Sequence, residues 1–174
     1  MAASFTEIID QVVSLFQASF EHTTVLRREE RLAAAILEMR GDYGPYRVYL
    51  QEIWRADGSR KYAYYVLSPT RIVAGFDNAA DPRALRLKYS KDAALHRFEP
   101  VPHRHTEGKE VVEISEEMDC AAFIAWLRTN LPSVRESSPI WSTTPSTEWS
   151  DSETFACEVI ANNRDLFEEL ARLI

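Results

Sequence analysis

His103 and His105 stand one residue apart, behind Pro102 and on either side of Arg104. On an extended strand alternate side chains share a face, so both imidazoles project to one side and Arg104 to the other. Imidazole titrates near neutrality. A co-facing pair can therefore supply the base and the acid of a proton-transfer reaction, or two nitrogen ligands to a metal ion. Two histidines with no chemistry would read the same way, since short His-x-His matches arise by chance. Upstream, Asp77 and Asn78 end an apolar run of Ile72, Val73, Ala74 and Phe76. A carboxylate and an amide there can orient a histidine, hold a ligand or cap a turn. Between the two motifs lie His96 and several cations, Arg83 among them. Metal-independent RNA cleavage needs a base for the 2′-hydroxyl, an acid for the leaving oxygen and cations at the phosphate. That assigns proton transfer to His103 and His105, orientation to Asp77, and substrate contacts to Arg104, Arg83 and Asn78, with no metal and no cofactor. A metal site would need a third ligand, for which Asp77 or His96 has the right chemistry.

Other reaction types lack their motifs. The chain has no Gly-rich phosphate loop, no GxSxG elbow and no HExxH, and its five glycines leave little for a nucleotide cradle. Tyr46, Tyr49, Trp54, Tyr62, Tyr64 and Tyr65 have the type to stack bases, but aromatics alternating along strands more often form core and cross-strand pairs.

The elements that must position these residues are legible in part. Ser4-Phe5-Thr6-Glu7 is a capping-box pattern, and Phe5, Ile8, Ile9, Val12, Phe16 and Phe20 recur at helical spacing, which predicts a helix over 5–20. From Val25 to Arg40, Ala33-Ala34-Ala35 and Leu37-Glu38-Met39 favour helix by propensity, although residues 31–40 also fit a strand before the turn residues 41–45. Tyr46–Trp54, Lys61–Leu67 and Arg71–Phe76 predict three antiparallel strands, the first two joined at Asp57-Gly58. Val111–Ile114 fits a short strand. Cys120, Phe123, Ile124, Leu127 and Leu131 then form a helical stripe that stops at Pro132. The expected fold is α+β, an antiparallel meander of four to five strands covered by the N-terminal helix and a helix at 119–131, plus a C-terminal helical appendage. The expected organisation is a core over 1–131, a Ser/Thr/Pro-rich connector over 132–153 packed by Trp141 and Trp149, and a helical segment over 154–174.

Composition narrows the class. With 174 residues, 45% hydrophobic and 27% charged, the chain has the makeup of one globular domain with an appendage. No apolar run approaches the roughly 20 residues of a membrane span, and the start lacks a positive n-region, so a cytoplasmic protein with no membrane partner is expected. Cys120 and Cys157, without CxxC spacing, read as reduced packed thiols. The net charge of -7 is unevenly spread: residues 1–39 carry -3, 40–109 carry +5 and 110–174 carry -9. A basic middle between acidic ends suits a local polyanion site, or a C-terminal part folding over a basic face; it is also what a solvated sheet surface would carry.

Taken in order, a meander, a strand ending in Phe76-Asp77-Asn78-Ala79, the element Pro102-His103-Arg104-His105, a short strand and the helix after Ser115 resemble the TumE family of bacterial toxin-antitoxin proteins, from about Leu32 to Leu131. The resemblance implies a small α+β domain with an antiparallel sheet. It also implies a toxin neutralised by a DNA-binding, helix-turn-helix antitoxin from a neighbouring gene. Action on RNA is the corresponding expectation, its mechanism resting on the residues above. The chain departs from the family pattern where Ala80-Asp81-Pro82-Arg83 replaces a proline and a pair of histidines. It departs again in the shortened second motif and in the insertion Ala84 to Phe98. Two other functions fit the same residues. One is a non-catalytic interaction module, a degenerate or self-masked family member whose acidic C-terminal part occupies the basic face. The other is a small metal-dependent hydrolase using Asp77, His103 and His105.

Overall fold

The structure is a computed structural model and describes residues 4–106 and 110–131. Helix α1 (Phe5–Ser19) starts where the capping box places it, with the Ser4 side chain on the Glu7 amide and the Glu7 carboxylate on the Ser4 amide. Seven strands follow as one antiparallel sheet: β1 (Glu21–Glu30), β2 (Ala34–Tyr43), β3 (Tyr46–Arg55), β4 (Arg60–Ser68), β5 (Arg71–Asp77), β6 (His103–Thr106) and β7 (Val111–Ile114). Their order across the sheet is their order in the chain. Between β5 and β6 the chain leaves the sheet to form α2 (Pro82–Tyr89) and a 3-10 helix (Ser90–His96), and α3 (Cys120–Asn130) follows β7.

The class is the expected α+β, with seven strands where four to five were expected. The strands beyond that count are β1 and the short β6, and β2 realises the strand alternative for residues 31–40 rather than the helical one. Helical propensity there loses to alternation: Ala35, Leu37 and Met39 are fully buried while their neighbours are half-buried. Pairing with β3 at Ala35↔Trp54, Leu37↔Glu52 and Met39↔Leu50 puts all three on the helix-covered face, and tertiary burial overrides a propensity difference of a few tenths of a kcal/mol per residue. The hairpin at Asp57-Gly58 forms as expected, with Gly58 at a φ of 84° that a side chain would strain. The connector over 132–153 and the segment over 154–174 lie outside the described residues.

α1 and α3 lie on one face of the sheet. Ile9 and Phe16 of α1 and Phe123, Ile124 and Leu127 of α3 share a core with Leu37, Met39, Leu50, Tyr64, Val66, Ala74 and Phe76. Tyr62 and Tyr64 stack on each other, and Tyr64 stacks on Phe123, so these aromatics are core rather than platforms for bases. Asp119 caps α3 by accepting from the Ala122 amide at 2.7 Å. Cys120 is a free, buried thiol raised to about 12, chiefly by its burial. Beneath α3 lies a polar cluster: Glu52 accepts from the Tyr64 hydroxyl and from Arg60 Nη1 at 3.2 Å, while Arg60 Nη2 donates to the Met118 carbonyl. Burial pushes the Glu52 carboxyl up to about 7 even though Arg60 opposes the shift.

On the opposite face α2 supplies a small apolar cluster in which Ala84 and Leu85 meet Val101 and Val112. Asp81 caps α2 and Pro82 occupies its first turn. The stretch between the two sequence motifs is therefore a helical excursion that ends over the neighbourhood of β6 and β7. No helix among the described residues is long and apolar enough to cross a membrane.

Candidate functional site

Strand register assembles the site. Asp77, the last residue of β5, pairs with His103, and Gly75 pairs with His105. Alternation then turns Asp77, His103 and His105 to the face opposite α1 and α3. All three are buried, at 4%, 1% and 3% exposure. The His103 and His105 Nε2 atoms are 3.0 Å apart. The Asp77 carboxylate straddles the pair, with Oδ1 at 3.2 Å from His103 Nε2 and Oδ2 at 3.1 Å from His105 Nε2. The expectation that the imidazoles share a face beside a carboxylate is thus met.

Neighbouring groups fix each member. The Ala79 amide donates to Asp77 Oδ1 at 3.0 Å, and the Tyr65 hydroxyl donates to Oδ2 at 3.1 Å. Gly75 makes the second contact possible: a Cβ there would lie 2.4 Å from Tyr65 Cε1, so the Tyr65 ring occupies the space a side chain would take. His103 Nδ1 lies 2.6 Å from the Val101 carbonyl. A carbonyl only accepts, so Nδ1 carries a proton, and Nε2 is the ring nitrogen that His103 turns to Asp77 and His105. His105 Nδ1 is buried and has no hydrogen-bond partner.

The electrostatics favour an anionic Asp77. Burial pushes its carboxyl up, but the His105 hydrogen bond, the adjacent imidazoles and the Ala79 amide together outweigh burial and hold it below the usual carboxylate range. Burial, and then the charge of Asp77, raise Tyr65 well above an ordinary phenol, so it stays a donor. Asp81 falls to about 2: burial opposes this, but bonds from Arg83 prevail, and His103 adds to them.

The other expected site residues are placed differently. Arg83 stands near enough for its charge to act on Asp77, while its Nη2 bonds Asp81 Oδ2 at 2.8 Å. Arg104 lies on the helix-covered side of β6, with Nε 3.1 Å from Glu113 Oε2, so the structure does not bring it to the histidines. Alternation, which predicted their shared face, sends the residue between them away. Asn78 is engaged in the sheet, accepting from the Tyr62 amide at 3.1 Å and donating to the Arg60 carbonyl at 2.9 Å. His96 stacks on Tyr89 with ring centroids 3.8 Å apart and has Nδ1 at 2.8 Å from Glu99 Oε2, so of the two possible third ligands only Asp77 joins the pair.

Sequence reasoning missed Tyr65, Gly75 and the backbone groups of Ala79 and Val101. Tyr65 and Gly75 act together only because β4 and β5 pair them directly, a register that neither strand declares alone. What results is a desolvated carboxylate with two imidazoles, able to pass a proton or to bind a cation. In comparisons with known proteins, no family model matches the chain, and no curated sequence or solved structure matches it at a significant level.

Proposed function

We propose that this protein is the toxin component of a bacterial toxin-antitoxin pair, resembling the TumE family, and that it acts in the cytoplasm by cleaving RNA at the Asp77, His103 and His105 cluster. The observation that carries the reading is the meeting of both Nε2 atoms with each other and with one carboxylate. His103 and His105 move the protons, Asp77 aligns them, and Arg83, which is paired with Asp81 but acts by its charge on Asp77, is the cation assigned to the phosphate. A helix-turn-helix antitoxin is the implied partner. The expected substrate contacts from Arg104 and Asn78 are not part of this reading, because both side chains are engaged elsewhere.

Purified protein incubated with total RNA is expected to cut it, and His103→Ala with His105→Ala to abolish cutting. Absence of cleavage by the wild type, with or without added divalent metal, overturns the reading. A second function, an interaction module without catalysis, is favoured by one observation: the three groups are almost fully buried, where a macromolecule cannot touch them without movement. In that case the cluster pins β6 to β5, and a neighbouring-gene antitoxin would bind a protein that leaves RNA intact.

A further inference from the structure

We propose that Asp77, His103 and His105 together bind one divalent first-row transition metal ion, of which zinc is the type, through the carboxylate and the two Nε2 atoms. The proposal rests on the reading above for the metal's purpose, though not for its place, and it replaces the proton-transfer roles given there to His103 and His105, whose Nε2 atoms here hold the ion.

Three observations carry it. The first is distance. Nε2 to Nε2 is 3.0 Å, His103 Nε2 lies 3.2 Å from Asp77 Oδ1, and His105 Nε2 lies 3.1 Å from Oδ2. In a tetrahedral site with bonds of about 2.0 to 2.1 Å, ligand atoms stand about 3.3 Å apart. One donor atom from each residue lies within 4.8 Å of the others, so small rotations complete the triangle. The second is lone-pair direction. With its Nδ1 proton on the Val101 carbonyl, His103 turns its other ring nitrogen toward a carboxylate oxygen and toward a second imidazole nitrogen. Atoms that only accept repel at this range unless a proton or a cation lies between them. Protons bridge such contacts one pair at a time, through His105 Nε2 to Asp77 Oδ2 or through His103 Nε2 to Oδ1. A metal ion satisfies all three donors at once.

The third observation is the surrounding support. Metal-ligating histidines usually donate their far nitrogen to a carbonyl or carboxylate, and ligating carboxylates are themselves hydrogen-bonded. His103 has its carbonyl, and Asp77 has the Ala79 amide and the Tyr65 hydroxyl. Two nitrogens and one oxygen suit zinc, iron(II), cobalt(II) or manganese(II). Magnesium and calcium prefer all-oxygen sites with more ligands. Three protein donors leave a fourth position for water or for a substrate oxygen.

The test uses the full chain, stripped by a chelator and then titrated with Zn²⁺ against a chromogenic competitor. Cobalt(II) absorption reads the ligand set. The proposal expects one ion per chain, a four-coordinate cobalt spectrum without thiolate charge transfer, and affinity reduced at least about tenfold in Asp77→Asn and in His105→Gln. Arg104→Ala, on the other face of β6, should leave affinity unchanged. Zinc bound equally well by Asp77→Asn, or no ion bound by the wild type, overturns the proposal. Imidazole nitrogen NMR on the wild type needs no variant: zinc should shift both Nε2 resonances, and resonances that stay in place overturn the proposal even if a variant unfolds. An ion bound at these residues without RNA cleavage supports the proposal and removes the ribonuclease reading. Cleavage by metal-free protein that binds no zinc does the reverse.

Discussion

Tyr65 and Gly75 show how little freedom the cluster has. The Tyr65 ring covers the glycine, and its hydroxyl reaches over to Asp77. Gly75→Ala would place a methyl group 2.4 to 2.6 Å from two ring carbons, and a buried tyrosine on a central strand must then move as a body. Overpacking of this kind costs about 1 to 3 kcal/mol. The expected outcome is a lower urea midpoint together with weaker zinc binding, although the substitution touches no ligand. A variant as stable as the wild type, with unchanged affinity, would show that the Tyr65 bond to Asp77 does not position the carboxylate. The pairing of His103 with His105 was legible because it needs only alternation. Their company was not, since the Val101 carbonyl and the Ala79 amide carry no side-chain signature.

At the scale of elements, α1 and α3 were readable because cap and stripe agree: Ser4 with Glu7 in one, and Asp119 before Cys120, Phe123, Ile124 and Leu127 in the other. Residues 21–43 were misleading because alanine, leucine, glutamate and methionine favour helices until a partner strand supplies a face to bury. α2 had a readable start in Asp81-Pro82, a cap followed by proline at the first turn, but its few apolar residues gave no clear stripe. Asp119→Ala removes the bond to the Ala122 amide and should cost about 1 kcal/mol in denaturant unfolding. α3 covers the face away from the histidines, so zinc affinity should not change. A parallel loss of affinity would mean that the sheet transmits strain between its faces.

The whole molecule should respond to pH through Glu52. Its carboxyl is raised to about 7 in the folded chain, from an ordinary 4.5, mainly by burial between Tyr64, Arg60 and α3. The folded state therefore holds a proton that the unfolded state has lost across this window. The associated stability is fully present below about pH 4.5 and falls as pH rises through about 7, by something on the order of 3 kcal/mol. Urea midpoints should decline over that interval, and Glu52→Gln should flatten the decline. A wild-type midpoint that climbs between pH 5 and 7 would place the Glu52 charge under the control of Arg60 instead.

Because each strand neighbours only its predecessor and successor, the sheet can grow by successive zippering, each turn closing a short loop. Among the described residues the one long detour is the excursion through α2 and the 3-10 helix, and Asp77 and His103 stand at its two ends. Early hairpins therefore leave the chemistry unassembled. The carboxylate sits at the rim of such a ribbon until the loop carrying both imidazoles returns, so the three side chains come together only when nearly all of the described sheet has been made.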